Sequence, residues 1–129
     1  MDFSIFREYD IRGVVDKQFT TAEAYNIGQA IIHYFLQKNP APKTVVIGMD
    51  GRLSSPAIKQ EFCRAATEVG LNVLDLGLCT TPVFYFALQT LESGTGMMIT
   101  ASHNPKEYNG IKVCLDKTSV AGAELQVIA

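Results

Sequence analysis

Ser102 is followed directly by His103, and Lys112 returns after the break made by Asn104 and Pro105. A serine hydroxyl is a weak nucleophile until a base or a cationic setting activates it. Histidine can move a proton, and lysine can offset the charge of a phosphoryl group. These residues suit an activated nucleophile, and phosphoryl transfer in particular. By themselves they also suit an ordinary polar loop. Acyl transfer fits less well: there is no G-x-S-x-G elbow, and the other histidine, His33, falls on a polar helix face.

Such a serine works only if the fold exposes it, and the pattern around it is that of an α/β domain. Residues 44–49 (Thr-Val-Val-Ile-Gly-Met) read as a strand buried on both faces. Further strands are expected at 72–76, 96–100 and 111–115, the last after a turn at Tyr108-Asn109-Gly110. Amphipathic periodicity predicts a helix over about 20–37, with Thr20 or Thr21 as cap and Ile27, Ala30, Ile31, Tyr34 and Phe35 on its apolar face. Ile32 and Leu36 lie off that face. A second helix starts with Ser55 as N-cap and Pro56 at the first helical position, and Gly70 closes it. A third opens at Thr81-Pro82, carries Phe84, Ala87, Leu88 and Leu91, and closes near Gly94. Strands joined by single helices pair in parallel with right-handed crossovers. The short link between the last two strands makes that pair antiparallel. The expected fold is a three-layer α/β/α single domain with a mixed, mostly parallel four-stranded sheet. Asp50-Gly51-Arg52 and the Ser102 segment both follow strand carboxyl ends, where open α/β sheets gather their chemistry.

Composition narrows the function classes. The 129 residues suffice for one domain, and a formal charge of -2 without a Lys/Arg run argues against nucleic acid. No apolar run is long enough for a membrane span. Cys63, Cys79 and Cys114 form no C-x-x-C and read as free thiols of a cytoplasmic protein. Neither nucleotide-binding glycine pattern is present. Residues 122–129 read as the opening of a helix, so the chain is expected to be a piece of a longer parent.

Three segments together carry a family resemblance. Thr100-Ala101-Ser102-His103-Asn104-Pro105, with Tyr108-Asn109-Gly110 and Lys112, resembles the phosphoserine loop of the α-D-phosphohexomutases, the phosphomannomutase/phosphoglucomutase group. Phe6-Arg7, Tyr9-Asp10-Ile11-Arg12-Gly13 resembles their N-terminal motif. Gly48, Asp50, Arg52 and Ser54-Ser55 resemble a third shared segment. The likeness covers only the first of the family's four domains.

The resemblance implies that Ser102 carries the phosphoryl group. It would pass it to a hexose 1- or 6-phosphate and recover it from a 1,6-bisphosphate. It implies that Arg12 lies by the transferred group and binds substrate, that Tyr9 contacts substrate, and that His103 and Lys112 aid proton transfer or steady the phosphoserine. Asn104 would shape the loop. Asp50 and Arg52 read as an ion pair or brace supporting it, since Arg52 occupies the place of the second aspartate in a D-x-D phosphatase. Met49 stands where many relatives carry arginine. Mg²⁺ is implied, with Ser102 as one ligand and the others in a second domain, and hexose 1,6-bisphosphate as activator. The expected partners are a hexose phosphate and the parent's remaining domains, with self-association of the isolated chain, which should be inactive. The alternative is a non-catalytic phosphosugar-binding or interaction module.

Overall fold

The computed structural model describes residues 1–90 and 94–129. After a 3-10 turn at Phe3–Ile5, the chain forms β1 (Ile11–Val14), α1 (Ala24–Leu36), β2 (Thr44–Met49), α2 (Ser55–Glu68), β3 (Asn72–Leu78) and α3 (Thr81–Thr90). It continues through β4 (Gly96–Ile99), β5 (Tyr108–Leu115), β6 (Thr118–Ser119) and α4 (Ala123–Ile128). Leu91, expected in the third helix, lies outside the described residues.

The sheet runs β1-β5-β4-β2-β3, with β6 on β5. β2 pairs in parallel with β3 and β4, while β4 with β5 is antiparallel. These are the four strands expected from the sequence. The two additional strands are both antiparallel to β5, so the sheet has six strands among the described residues instead of four. The expected turn at Tyr108-Asn109-Gly110 is the first part of β5: Asn109 faces Gly13 and Gly110 faces Arg12.

One face of the sheet packs Val45, Ile47, Met97, Ile99, Ile111 and Val113 against α1, α2 and α4. The other packs Val46, Met98 and Cys114 against Phe84, Ala87 and Leu88 of α3. The middle residues of β2 and all of β4 are buried, which is what their unbroken apolar runs require. Ile32, placed off the apolar face of its helix by periodicity, is in the core, where α1 also packs on α2 and α4. Leu36 is partly exposed.

α3 starts at Thr81 as expected, but the starts of α1 and α2 differ from expectation. α1 begins later than residue 20. Thr20 and Glu23 instead form a reciprocal pair one turn earlier: Glu23 N donates to Thr20 Oγ1 at 3.1 Å, and Thr20 N donates to Glu23 Oε2 at 3.0 Å. Ser54, not Ser55, is the cap position of α2, and its side chain makes no capping bond. Ser55 is fully buried and its hydroxyl donates to Asp50 Oδ1 at 2.8 Å, so it serves the loop before the helix and not the helix end.

Candidate active site

β4 ends at Ile99, and the chain turns at once. Thr100 Oγ1 accepts from Ser102 N at 3.0 Å, and Asn104 N donates to Ala101 O at 3.0 Å. Ser102 sits in the left-handed region with φ 55°. A residue with a Cβ adopts that region only where its surroundings hold it. Ala101 is buried, whereas Ser102 and His103 are exposed.

Arg52 holds the loop. Nη2 donates to Ser102 O and Asn104 O, each at 2.9 Å, and Nη1 donates to Pro105 O at 2.7 Å and Tyr108 O at 3.3 Å. Its Nε donates to Asp50 Oδ2 at 3.1 Å, and its backbone N donates to Asp50 Oδ1 at 3.2 Å. The guanidinium fork has enough fixed donors to take several carbonyls at once, which an ammonium would not do. Behind it runs a buried chain that sequence reasoning missed. Asn109 Nδ2 donates to Ser54 Oγ at 2.8 Å and to Ser55 Oγ at 3.0 Å, and Ser55 passes the chain to Asp50. Asn109 Oδ1 accepts from Gly110 N at 2.8 Å.

Two further cations approach from the neighbouring strands. Arg12 on β1 donates through Nη1 to Asn104 Oδ1 at 2.5 Å and through Nη2 to Asp10 Oδ2. Lys112 on β5 places Nζ 3.7 Å from the same Asp10 oxygen. Asp10 is buried and faces both cations; its place in the motif before Ile11-Arg12 was visible, but its pairing was not. Arg12 Nε is buried without a hydrogen-bond partner among the described residues. Tyr9 is 72% exposed beside this group, so it is no part of the core. His103 makes no hydrogen bond to Ser102 Oγ among the described residues.

Ser102, His103, Lys112, Thr100 and Asp50 line an open cleft of about 750 Å³, walled on the far side by Cys79, Thr80 and Pro82 at the start of α3. Burial raises the Cys79 thiol above its ordinary range, so it stays protonated near neutrality. Asn104 and Arg52 line a neighbouring opening with Leu53 and Lys106. The cleft exposes Ser102 and His103, with Lys112 on its wall and Arg52 clamping the loop.

The residues here do not make a magnesium site by themselves. Among the described residues no three His, Cys, Asp or Glu side chains are grouped to hold a metal. The carboxylate that lines the Ser102 cleft, Asp50, is already bonded to Arg52 and Ser55. A single hydroxyl falls far short of the six oxygens that Mg²⁺ requires.

Residues 4–128 match the family model described as phosphoglucomutase/phosphomannomutase, alpha/beta/alpha domain I. The chain belongs to this family. Over 122 residues it is 44% identical to a phosphoglucomutase of Neisseria gonorrhoeae, covering 95% of this chain and 26% of that protein. It is 41% identical over 125 residues to a phosphomannomutase/phosphoglucomutase of Pseudomonas aeruginosa, covering 97% of this chain and 27% of that protein. A crystal structure of a phosphoglucomutase/phosphomannomutase family protein from Burkholderia thailandensis superimposes with a TM-score of 0.87 at 32% identity, covering 99% of this chain and 29% of that one. The domain thus spans about a quarter of the length of the relatives it matches. No described helix is long and apolar enough to cross a membrane.

Proposed function

We propose that this chain is the phosphoryl-carrying domain of a four-domain enzyme that interconverts hexose 1-phosphate and hexose 6-phosphate through a 1,6-bisphosphate. The observation that carries the reading is the placement of Ser102: an exposed hydroxyl on a loop whose carbonyls are clamped by Arg52. Family membership supports the same reading.

In the proposed step a sugar hydroxyl attacks phosphorus on phospho-Ser102. The Ser102 Oγ–P bond breaks as the new O–P bond forms, and the hydroxyl proton is delivered, in net, to Ser102 Oγ. Catalysis of such a transfer consists mainly of positioning and charge stabilisation. Arg12 and Lys112 would offset charge on the phosphoryl oxygens, His103 would move the proton, and exposed Tyr9 would touch the sugar. Asn104, Asp50 and Arg52 would keep the loop in place. One fixed donor serves both ends of the sugar once the bisphosphate turns over in the cleft, and the same bisphosphate would act as activator. The Mg²⁺ implied by the motif resemblance would need carboxylates from beyond this chain in addition to Ser102. The partners on this reading are a hexose phosphate and the remaining domains of the parent, and for the isolated chain a second copy. The free thiols suit a reducing cytoplasm.

The test is mutase turnover of the full-length parent on glucose 1-phosphate and mannose 1-phosphate with trace bisphosphate, alongside intact mass. Ser102→Ala should lose phosphate and lower kcat by on the order of 10⁴-fold or more. Phosphate that persists in Ser102→Ala, or undiminished turnover, would refute the proposal. The isolated chain should show no turnover above background.

A further inference from the structure

Asp10 is a buried carboxylate facing two cations that the proposed reaction assigns to phosphate. Its Oδ2 takes both Arg12 Nη2 and Lys112 Nζ, from two strands that meet only through the β1–β5 pairing. Arg12 and Lys112 bring two positive charges and Asp10 one negative, so the group is net positive by one. Arg52 is already neutralised by Asp50. Arg12 also reaches Asn104, two residues beyond Ser102, and Lys112 lines the same cleft as Ser102. The guanidinium keeps unused capacity, because its buried Nε has no partner among the described residues.

From this we infer that Asp10 is a positioning residue and a resident counter-ion, one that shares Arg12 and Lys112 with the phosphate on Ser102 and thereby limits how tightly the domain keeps that phosphate. A phosphoserine adds about 1.5 to 2 negative charges at neutral pH. Two uncompensated cations would hold such a group firmly and oppose its departure to a sugar. With Asp10 present the cations are partly satisfied before the phosphoryl arrives and satisfied again after it leaves. The dephosphorylated site then carries little electrostatic penalty, and transfer in either direction stays close to balance. Differential stabilisation of the two states is what sets such an equilibrium.

This inference rests on the proposed role of Ser102 and is tested in the full-length parent. The reaction measured is phosphoenzyme plus hexose monophosphate giving dephosphoenzyme plus hexose 1,6-bisphosphate. One Oγ–P bond is exchanged for one sugar O–P bond, and the hydroxyl proton moves to Ser102. Intact mass after long incubation with defined ratios of glucose 6-phosphate and glucose 1,6-bisphosphate reads its equilibrium constant. Asp10→Asn, which raises the cluster to two positive charges, should shift the balance toward phosphoenzyme by about tenfold or more. Lys112→Met lowers the charge to zero and should shift it the opposite way. The double variant Asp10→Asn/Lys112→Met restores a single positive charge. It should return to within about threefold of wild type, a rescue that loss of packing would not produce.

If Asp10→Asn alone does not fold, the comparison of Lys112→Met with the double variant applies the same charge step without two unpaired cations. An unchanged constant across that step overturns the inference. A wild-type protein that takes no phosphate from the bisphosphate refutes the role of Ser102 itself, so the two failures are distinguishable.

Discussion

Arg52 illustrates how one side chain can set the geometry of a whole loop. It reaches four backbone carbonyls and one carboxylate, and its own side chain is only 12% exposed. A hydrogen bond to a charged group contributes about 1.5–3 kcal/mol, and losing Arg52 would also strand the half-buried Asp50 carboxylate. Arg52→Ala therefore should destabilise the domain by about 3 kcal/mol in urea unfolding and speed amide exchange through residues 101–104. Arg64 provides the contrast. It pairs with Glu61 and Glu68 on α2 and lies over the Tyr25 ring, but its side chain is 51% exposed. Water screens exposed pairs of this kind, so Arg64→Ala should leave both stability and loop exchange nearly unchanged. An equal cost for the two would mean that the Arg52 fork is not what fixes the Ser102 loop.

At the scale of elements, close approach decides several positions. Gly28 on α1 lies against α2, where an added Cβ would stand 2.8 Å from Phe62 Cδ1. Alanine should favour the helix itself by about 1 kcal/mol, but Phe62 is fully buried and its ring has little room to yield. Overpacking costs of about 1–3 kcal/mol exceed that gain, so Gly28→Ala should lower the midpoint of thermal unfolding. Adding Phe62→Leu should make the Gly28→Ala step cheaper, measured as a double-mutant cycle. Elements differ in how much of their burial is written in their own residues. β2 and β4 are unbroken apolar runs, and their burial on both faces follows directly. β1 reads Ile-Arg-Gly-Val, and the charge and the glycine interrupt any local strand signal. Asn109-Gly110 has the composition of a turn. Yet a Cβ at Gly110 would lie 2.3 Å from Ile11 O and 3.1 Å from Thr100 O, and the Asn109 side chain is buried on the two serines. Both residues are chosen by contacts with segments distant in sequence. The site divides in the same way. Ser102, His103 and Lys112 could be picked out from residue type and motif, whereas the Asp10 bridge depends on the register between β1 and β5.

At the scale of the whole molecule, stability should fall in alkali. Burial raises the thiols of Cys63, Cys79 and Cys114 above their ordinary value near 9.0. Burial, and then its bond to Glu124, raises Tyr34, and the bond to Glu68 raises Tyr25. All five shifts have the same sign. Where a native acid has a raised pKa, the folded state binds more protons than the unfolded chain in the window above the unfolded value. Stability therefore falls as pH rises through that window. The contribution is complete below about pH 9 and is lost progressively above it. Cys114 isolates one share of the effect, since it is 1% exposed and packs among Val46, Phe84 and Met98. Urea unfolding at pH 7.5 and 10.5 should show wild type losing stability at the higher pH. Cys114→Ala should cost about 1 kcal/mol at pH 7.5 through its small cavity. Its further loss on going to pH 10.5 should be smaller than that of wild type, because the buried proton that alkali removes is gone. Equal losses in the two proteins would leave the alkaline slope to the tyrosines and the other two thiols, and would show that ionising Cys114 costs the native state nothing.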